Sequence, residues 1–216
     1  PENRQLARGP RRRLSAETIR DQALATAGLL VEQIGGPSVK PYQPAGLWEE
    51  VANTTYTPGT GGDLFRRSMY TFWKRTVAPP TMMAFDASSR ETCIVRQSRT
   101  NTPLQALALL NATTFVEAAR NLAQRAMLEG GDSSESRLTY AFRLATARQP
   151  TEAELKILTA GFTRHLASYQ ANRTAAEELL KIGASPRDTQ LDTAELAAYS
   201  AVAGLILNLD EVVTKE

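Results

Sequence analysis

The chain has 216 residues, of which 42% are apolar and 22% are charged. These proportions are ordinary for a folded globular protein, and they exclude a wholly disordered or collagen-like chain. The formal net charge of +2 is too small to indicate a nucleic-acid partner by itself. We therefore expect one packed domain over residues 1–216, a length that a single hydrophobic core can serve.

Residues 1–14 are interpreted as a basic leader, because they contain Arg4, Arg8, Arg11, Arg12 and Arg13. Clustered arginines can neutralise a polyanion with release of its counterions, so polyanion binding is one hypothesis for this segment. No nucleic-acid recognition motif accompanies the arginines, and a solvated leader is the interpretation that we favour.

Ser15 is a predicted N-cap for a helix over residues 15–34, in which apolar residues recur at helical spacing. We expect this helix to end at Gly35 and Gly36. Residues 35–101 are predicted to form a long Gly/Pro-rich loop and a small β region. Alternating side chains and aromatic content favour strands over residues 68–75 and 92–97.

Residues 102–216 are predicted to be helical. The best local signal is Thr102, Pro103 and Gln105, where a capping residue, a proline at the first helical position and a capping-box partner begin a helix. We expect that helix to break near Asn111 and to resume as far as Gly130.

Further helices are predicted over residues 135–147, from the capping box at Thr151, over residues 175–182, and from Asp192 or Thr193 onward. The last of these carries apolar or small side chains nearly all round, so we expect it to be the central helix. The fold class is thus predicted as mainly α, an irregular multi-helix bundle with a small two-stranded β element and a long Gly/Pro-rich loop.

Candidate nucleophiles and bases are scarce. Cys93 is the only cysteine, which excludes a disulfide within the chain and a Cys-x-x-Cys-His haem attachment, and His165 is the only histidine. Neighbouring arginines could activate Cys93, but a half-buried strand cysteine is the favoured interpretation. His165 could act as a general base or lie on a helix surface, and we favour the latter. No metal or cofactor is expected.

Four carboxylates lie in the predicted loop and β region, residues 35–101, which also carries the tryptophans: Glu49, Glu50, Asp86 and Glu91. A pair of them could do acid and base work on a glycosidic bond. Salt bridges to nearby basic side chains are the simpler explanation. These basic side chains are Arg66, Arg67, Lys74, Arg75 and Arg90.

Candidate binding residues are the aromatic Tyr42, Trp48 and Trp73 and the basic Arg67 and Lys74. The aromatic rings could stack on a sugar or a partner protein, and the basic groups could contact anions. The alternative is that the tryptophans anchor the loop to the core.

Several long phrases, in a fixed order, resemble a known family. They are residues 35–50, residues 67–76, Phe85-Asp-Ala, residues 100–107 with Asn-Thr-Pro-Leu-Gln, and residues 207–211. The chain resembles the later part of the planctomycete-type domain of unknown function 1553. The resemblance covers nearly the whole chain.

The resemblance implies an extracytoplasmic location and a C-terminal position in a larger exported protein. In that family the domain usually follows a second domain of unknown function, and sometimes a cytochrome-c-like or a lectin-like module. The haem of a cytochrome-c-like module would bind outside this chain, which has no haem attachment motif. The resemblance carries over no catalytic residues. The expected function is a non-catalytic interaction or scaffold domain whose partner is the upstream part of the same protein or a separate chain. The alternatives are part of an enzyme acting on complex carbohydrate and a polyanion-binding module.

Overall fold

The computed structural model describes residues 11–52, 54–74, 76–95 and 99–215. Within these ranges the chain forms ten α-helices and one two-stranded antiparallel sheet, which confirms the mainly α class. No helix in the described ranges is long and apolar enough to cross a membrane.

The elements follow one another in a simple order. The N-terminal half contains β1 Arg12–Arg13, α1 Ala16–Thr26, α2 Leu47–Ala52, two 3-10 helices over Gly61–Phe65 and Ser68–Tyr70, and α3 Pro80–Ala84. The C-terminal half contains α4 Pro103–Asn111, α5 Thr113–Glu129, α6 Ser134–Thr146, α7 Glu152–Ala171, α8 Arg173–Leu180, α9 Thr193–Leu207, α10 Asp210–Val213 and β2 Thr214–Lys215.

Helix α9 is the centre of the helical half, as its sequence predicted. Leu196, Ala197 and Ala198 follow one another around it at about 100° per residue. All three are buried, because α5, α6, α7 and α8 pack around the helix. The ring of Tyr199 stacks on Phe162 of α7, with 4.2 Å between ring centroids. A helix that is apolar all round is stable only when it is enclosed in this way.

The predicted helix starts are confirmed by their caps. The Ser15 hydroxyl accepts from the backbone N–H of Thr18 at 3.3 Å, and the Asp192 carboxylate accepts from Glu195 N–H at 2.9 Å. At the start of α7, Glu154 and Thr151 close a reciprocal capping box. Each cap satisfies backbone donors that the first turn leaves unpaired.

The predicted end of the first helix was wrong. Helix α1 ends at Thr26, and Gly28 follows with a left-handed φ of 72°. The backbone N–H groups of Leu29 and Leu30 then both turn back to the carbonyl of Leu24. Ile34, which was placed on the apolar face of the helix, is 92% exposed. The helical spacing beyond residue 27 was therefore coincidental.

The positions of the predicted strands were also wrong. Residues 68–70 form a 3-10 helix, and residues 92–95 lie outside any strand, while Arg75 and residues 96–97 lie outside the described ranges. The sheet instead pairs Arg12 with Lys215 and Arg13 with Thr214. Among residues 68–74, Thr71 forms an isolated bridge with Val39 and Lys74 forms one with Val77, and neither bridge extends into a ladder.

The basic leader is not a free solvated segment where it is described. Arg11 pairs with Asp210, and Arg13 is buried and donates to the side chain of Asn101 at 2.9 Å. Arg12 is exposed in β1, and Arg4 and Arg8 lie outside the described residues. Arg11 and Arg13 therefore join this segment to α10 and to Asn101, just before α4.

Two further buried arginines hold the long loop, Arg20 from α1 and Arg66 from within the loop. Arg20 donates to the carbonyls of Leu64 and Arg66, at 2.6 and 2.9 Å. Arg66 donates to the carbonyls of Gln33, Gly35 and Pro37. A guanidinium group has five N–H donors, so one side chain can satisfy several loop carbonyls that would otherwise be buried without partners.

Candidate interaction surface

The Asn-Thr-Pro-Leu-Gln phrase lies where several distant segments meet. Asn101 accepts from Arg13 of β1 at 2.9 Å and donates to Asp210 of α10 at 3.4 Å. One side chain thus links the start of α4 to both ends of the described chain. The phrase has a long-range structural role in addition to its local one.

Gln105 is 1% exposed and completes this junction. Its Oε1 accepts from the backbone N–H of Thr102 at 3.3 Å, as the predicted capping box requires. Its Nε2 donates to Asp86 at 3.3 Å and to the hydroxyl of Thr100 at 3.2 Å. Asp86 also accepts from the backbone N–H of Thr100 at 2.7 Å.

The environment of Asp86 favours the ionised carboxylate. Burial alone would raise its pKa, but hydrogen bonds from Thr100 and Gln105 and the charge of Arg13 outweigh burial and lower it. Asp86 is therefore ionised at neutral pH. Its negative charge holds together the donors at the start of α4.

Helix α4 turns its polar Gln105 inward and presents leucines to solvent. Leu109 is 3% exposed, whereas Leu104, Leu107 and Leu110 are 62%, 56% and 41% exposed. The three exposed leucines are spaced three residues apart, so they share one side of the helix. We call this surface the leucine face.

A groove lies between α7 and α9, close to the same helix. It has a volume of about 400 Å³ and an apolar lining that includes Ile157, Leu158 and Leu205. Ile157 is 71% exposed. The side chain of Asn208, at the end of α9, donates to the carbonyl of Ala106 at 3.3 Å, which fixes that end of α9 beside α4.

Trp48 and Lys74, two of the predicted binding residues, lie together. Trp48 is 5% exposed, its indole N–H donates to Gln43 at 2.7 Å, and the Lys74 ammonium lies 4.7 Å from its ring centroid. Tyr56 and Phe72 pack against the same indole, with centroids at 4.9 and 6.0 Å. The indole is enclosed and has little surface on which a ligand could stack.

The other three predicted binding residues lie apart. The hydroxyl of Tyr42 accepts from Ala184 N–H at 2.8 Å, and burial together with the charge of Glu117 raises the pKa of Tyr42 to about 12. Half-buried Trp73 donates to the Ser89 carbonyl at 3.2 Å. Arg67 is exposed in an open cleft of about 490 Å³, where it pairs with Asp21 at 3.3 Å.

Three of the four candidate catalytic carboxylates, Glu49, Glu50 and Glu91, are exposed. No ion pair joins these three to Arg66, Arg67, Lys74 or Arg90 within the described part of the chain, and Arg75 lies outside it. None of the four carboxylates lines the clefts described above.

Cys93 and His165 also differ from catalytic groups. Cys93 is exposed and outside any strand, so the prediction of a half-buried strand cysteine was wrong. His165 is half-buried on α7, and burial and the charge of Arg164 lower its pKa. No hydrogen bond within the described residues orients its ring as a general base requires. Those residues also contain no cluster of His, Cys, Asp or Glu that could hold a metal ion.

The fold and this surface define a mainly α domain with an exposed apolar face on α4. The family model described as "PSD1: Protein of unknown function (DUF1553)" matches residues 1–162. The chain therefore belongs to the DUF1553 family, as the phrases in its sequence indicated. No curated protein and no solved structure matches it.

The sequence interpretation missed the leucine face. The signal was present, because residues 104–110 contain more leucine than one buried side of a helix can use. The leucine face was missed because of Gln105, since a glutamine among leucines normally indicates the side of a helix that faces solvent. In the structure the glutamine is buried and the leucines are exposed.

Proposed function

We propose that this chain is a non-catalytic scaffold domain of a larger, exported, planctomycete-type multidomain protein, and that it docks through its leucine face onto another part of the same polypeptide. The observation that carries the proposal is the exposure of Leu104, Leu107 and Leu110 on one ordered helix. Contiguous exposed apolar side chains mark interaction sites in soluble proteins.

The anchoring of α4 supports docking by a preformed surface. Asn101 and Gln105 bind side chains from distant segments, and buried Leu109 fixes the opposite side of the helix. A partner would therefore meet leucines whose backbone is already ordered, which lowers the entropy cost of association.

The partner that fits this surface is itself an apolar helix face. Residues three apart form the ridges that pack into the grooves of another helix. The apolar α7–α9 groove is a second apolar surface, on the helix whose end Asn208 joins to α4. The family resemblance implies upstream modules in the same polypeptide, including cytochrome-c-like ones. Intramolecular docking also needs less affinity than binding of a separate chain, since tethering raises the effective concentration.

The two alternatives have weaker support. A carbohydrate-active site needs two carboxylates flanking the bond, beside exposed aromatic rings, yet Trp48 is enclosed. Polyanion binding needs a free basic face, yet Arg11 and Arg13 make contacts with Asp210 and Asn101.

Site-specific photo-crosslinking in the full polypeptide that contains this chain tests the proposal. A benzophenone amino acid replaces Leu107 in one sample and Leu128, a leucine of α5 that is 58% exposed, in the control. We expect Leu107 to cross-link to one defined segment of the same polypeptide, mapped by mass spectrometry, and Leu128 not to. Equal or diffuse cross-linking from both positions would contradict the proposal.

A further inference from the structure

A small cavity lies where α1, the loop after residue 39, α3 and α5 meet. Its volume is about 30 Å³, which is room for one or two water-sized particles and too little for an organic substrate. Its lining is mostly apolar. It includes Arg20, Gln43, Thr71, Met82, Phe85 and Phe115.

Three polar atoms of the lining are buried and have no hydrogen-bond partner among the described residues: Nε of Arg20, Nε2 of Gln43 and Oγ1 of Thr71. Arg20 and Thr71 are 5% and 4% exposed. A buried polar group without a partner costs about 1–3 kcal/mol, so three around one cavity point to a ligand that binds them together.

All three atoms can donate to the same ligand. The terminal nitrogens of Arg20 donate to Leu64, Arg66 and Ser68, whereas its Nε–H has no partner among the described residues. The orientation of the Gln43 amide is fixed, because its Oε1 accepts from the indole N–H of Trp48 at 2.7 Å. Its Nε2 is therefore a donor, and the hydroxyl of Thr71 can rotate to donate as well.

The charge balance distinguishes an anion from water. Arg20 makes its hydrogen bonds to carbonyl and hydroxyl oxygens. Burial lowers the pKa of Arg20 to about 10, so Arg20 remains a cation at neutral pH. The nearby charge of Asp21 partly offsets burial by raising the pKa of Arg20, but Asp21 forms its ion pair with Arg67, at 3.3 Å. A water molecule can bond all three atoms, since the hydroxyl of Thr71 can also accept, but water carries no charge. A monatomic anion accepts from all three and also offsets the buried guanidinium charge.

We propose that this cavity is a binding site for one small monovalent anion of halide size, held by Arg20, Gln43 and Thr71. The small volume excludes sulfate and phosphate. The bound anion joins α1 to the loop segments that carry Gln43 and Thr71, and so stabilises the packing of these segments against one another. The site is independent of the leucine face.

Equilibrium unfolding of the full chain in chloride tests the site. Chloride is raised from about 1 mM to about 300 mM while gluconate keeps the ionic strength constant, and urea unfolding is followed by circular dichroism. Above the dissociation constant, we expect the unfolding equilibrium constant to fall about tenfold for each tenfold rise in chloride, as release of one ion requires. An unfolding constant that does not change with chloride would overturn the proposal.

Matched variants locate the ion. Thr71→Val removes one donor and should weaken the chloride dependence, whereas Thr159→Val removes a buried unpaired hydroxyl of α7, away from the cavity lining, and should leave it unchanged. Gln43→Glu keeps an acceptor for Trp48 and supplies a fixed negative charge, so it should unfold independently of chloride. If all three variants respond to chloride as the wild-type chain does, the ion binds elsewhere and the proposal fails.

Crystals grown in bromide give a direct readout. We expect an anomalous peak among Arg20, Gln43 and Thr71 in the wild-type chain and none in Gln43→Glu. A wild-type cavity with no anomalous peak at a bromide concentration that saturates the unfolding response would overturn the assignment.

Discussion

Replacing Gly183 by alanine should destabilise the chain far more than the same change at another left-handed glycine. Gly183 follows α8 with a φ of 91°, and a Cβ built there would lie 2.5 Å from Oε1 and 2.7 Å from Cγ of Glu117. Glu117 is fully buried, and its carboxylate accepts from Ser185 N–H at 2.6 Å and faces Arg120 at 3.6 Å. The alanine methyl group and this carboxylate cannot both remain in place.

The magnitude has two parts. A left-handed backbone costs alanine about 1–2 kcal/mol. Displacing the Glu117 carboxylate leaves buried Arg120 without its charged partner, and breaking a buried pair in this way costs about 3–5 kcal/mol. We therefore expect Gly183→Ala to lower the free energy of unfolding by about 4–7 kcal/mol.

Gly46→Ala is the matched control. Gly46 has a φ of 80°, and a Cβ there would meet no atom within 4 Å, so this variant carries the backbone cost alone. Urea unfolding monitored by far-UV circular dichroism gives both free energies. Equal losses of stability at the two positions would refute the argument, since they would show that contact with Glu117 adds nothing.

Three other variants test the assignment of side chains to structural roles. Glu154→Gln should destabilise α7 at neutral pH, because hydrogen bonds from Arg148 and Thr151 lower the pKa of Glu154 to about 2 from 4.5. The stability that the Glu154 carboxylate contributes should disappear as the pH falls from 4.5 to about 2, and unfolding measured across this pH range checks it. Trp48→Ala should cost about 3–5 kcal/mol in urea unfolding, as expected for a buried indole, whereas a surface tryptophan would cost little. Arg66→Lys should cost about 2–3 kcal/mol, because an ammonium cannot serve the separate carbonyls that the guanidinium binds; a loss below the error of the unfolding measurement would contradict this.

Local chemistry explains which elements could be predicted from the sequence. The starts at Ser15, Thr102, Thr151 and Asp192 were correct, because an N-cap and its partner lie within four residues of each other. The central position of α9 was also predictable, since its side chains leave no polar side to face water.

The errors arose where distant residues decide the structure. The loop after Gly28 is held by Arg66, whose hydrogen bonds to Gln33 and Pro37 span about thirty positions that no local pattern encodes. The sheet joins Arg13 to Thr214, at opposite ends of the chain. Arg11 and Arg13, which were candidates for polyanion binding, form contacts with Asp210 and Asn101 in distant segments.

The candidate surface was hidden for a related reason. Gln105 is buried because Asp86, Thr100 and Thr102 meet it, and this meeting depends on the tertiary fold. Once Gln105 faces inward, the helix must rotate Leu104 and Leu107 toward solvent. The Asn-Thr-Pro-Leu-Gln phrase could therefore be recognised, and its role in starting α4 could be derived from the sequence. The leucine face could not, because it depends on the tertiary contacts of Gln105.

The most direct test of the account is the dissociation constant between this chain and the segment to which Leu107 cross-links. It should be measured for the wild-type chain, for the triple variant Leu104→Gln, Leu107→Gln and Leu110→Gln, and for the control Leu128→Gln. We expect the triple variant to bind at least about 100-fold more weakly with an unchanged unfolding midpoint, since burying each leucine in a complex contributes about 1.5 kcal/mol or more. Unchanged affinity in the triple variant would contradict the claim that the leucine face is the docking surface.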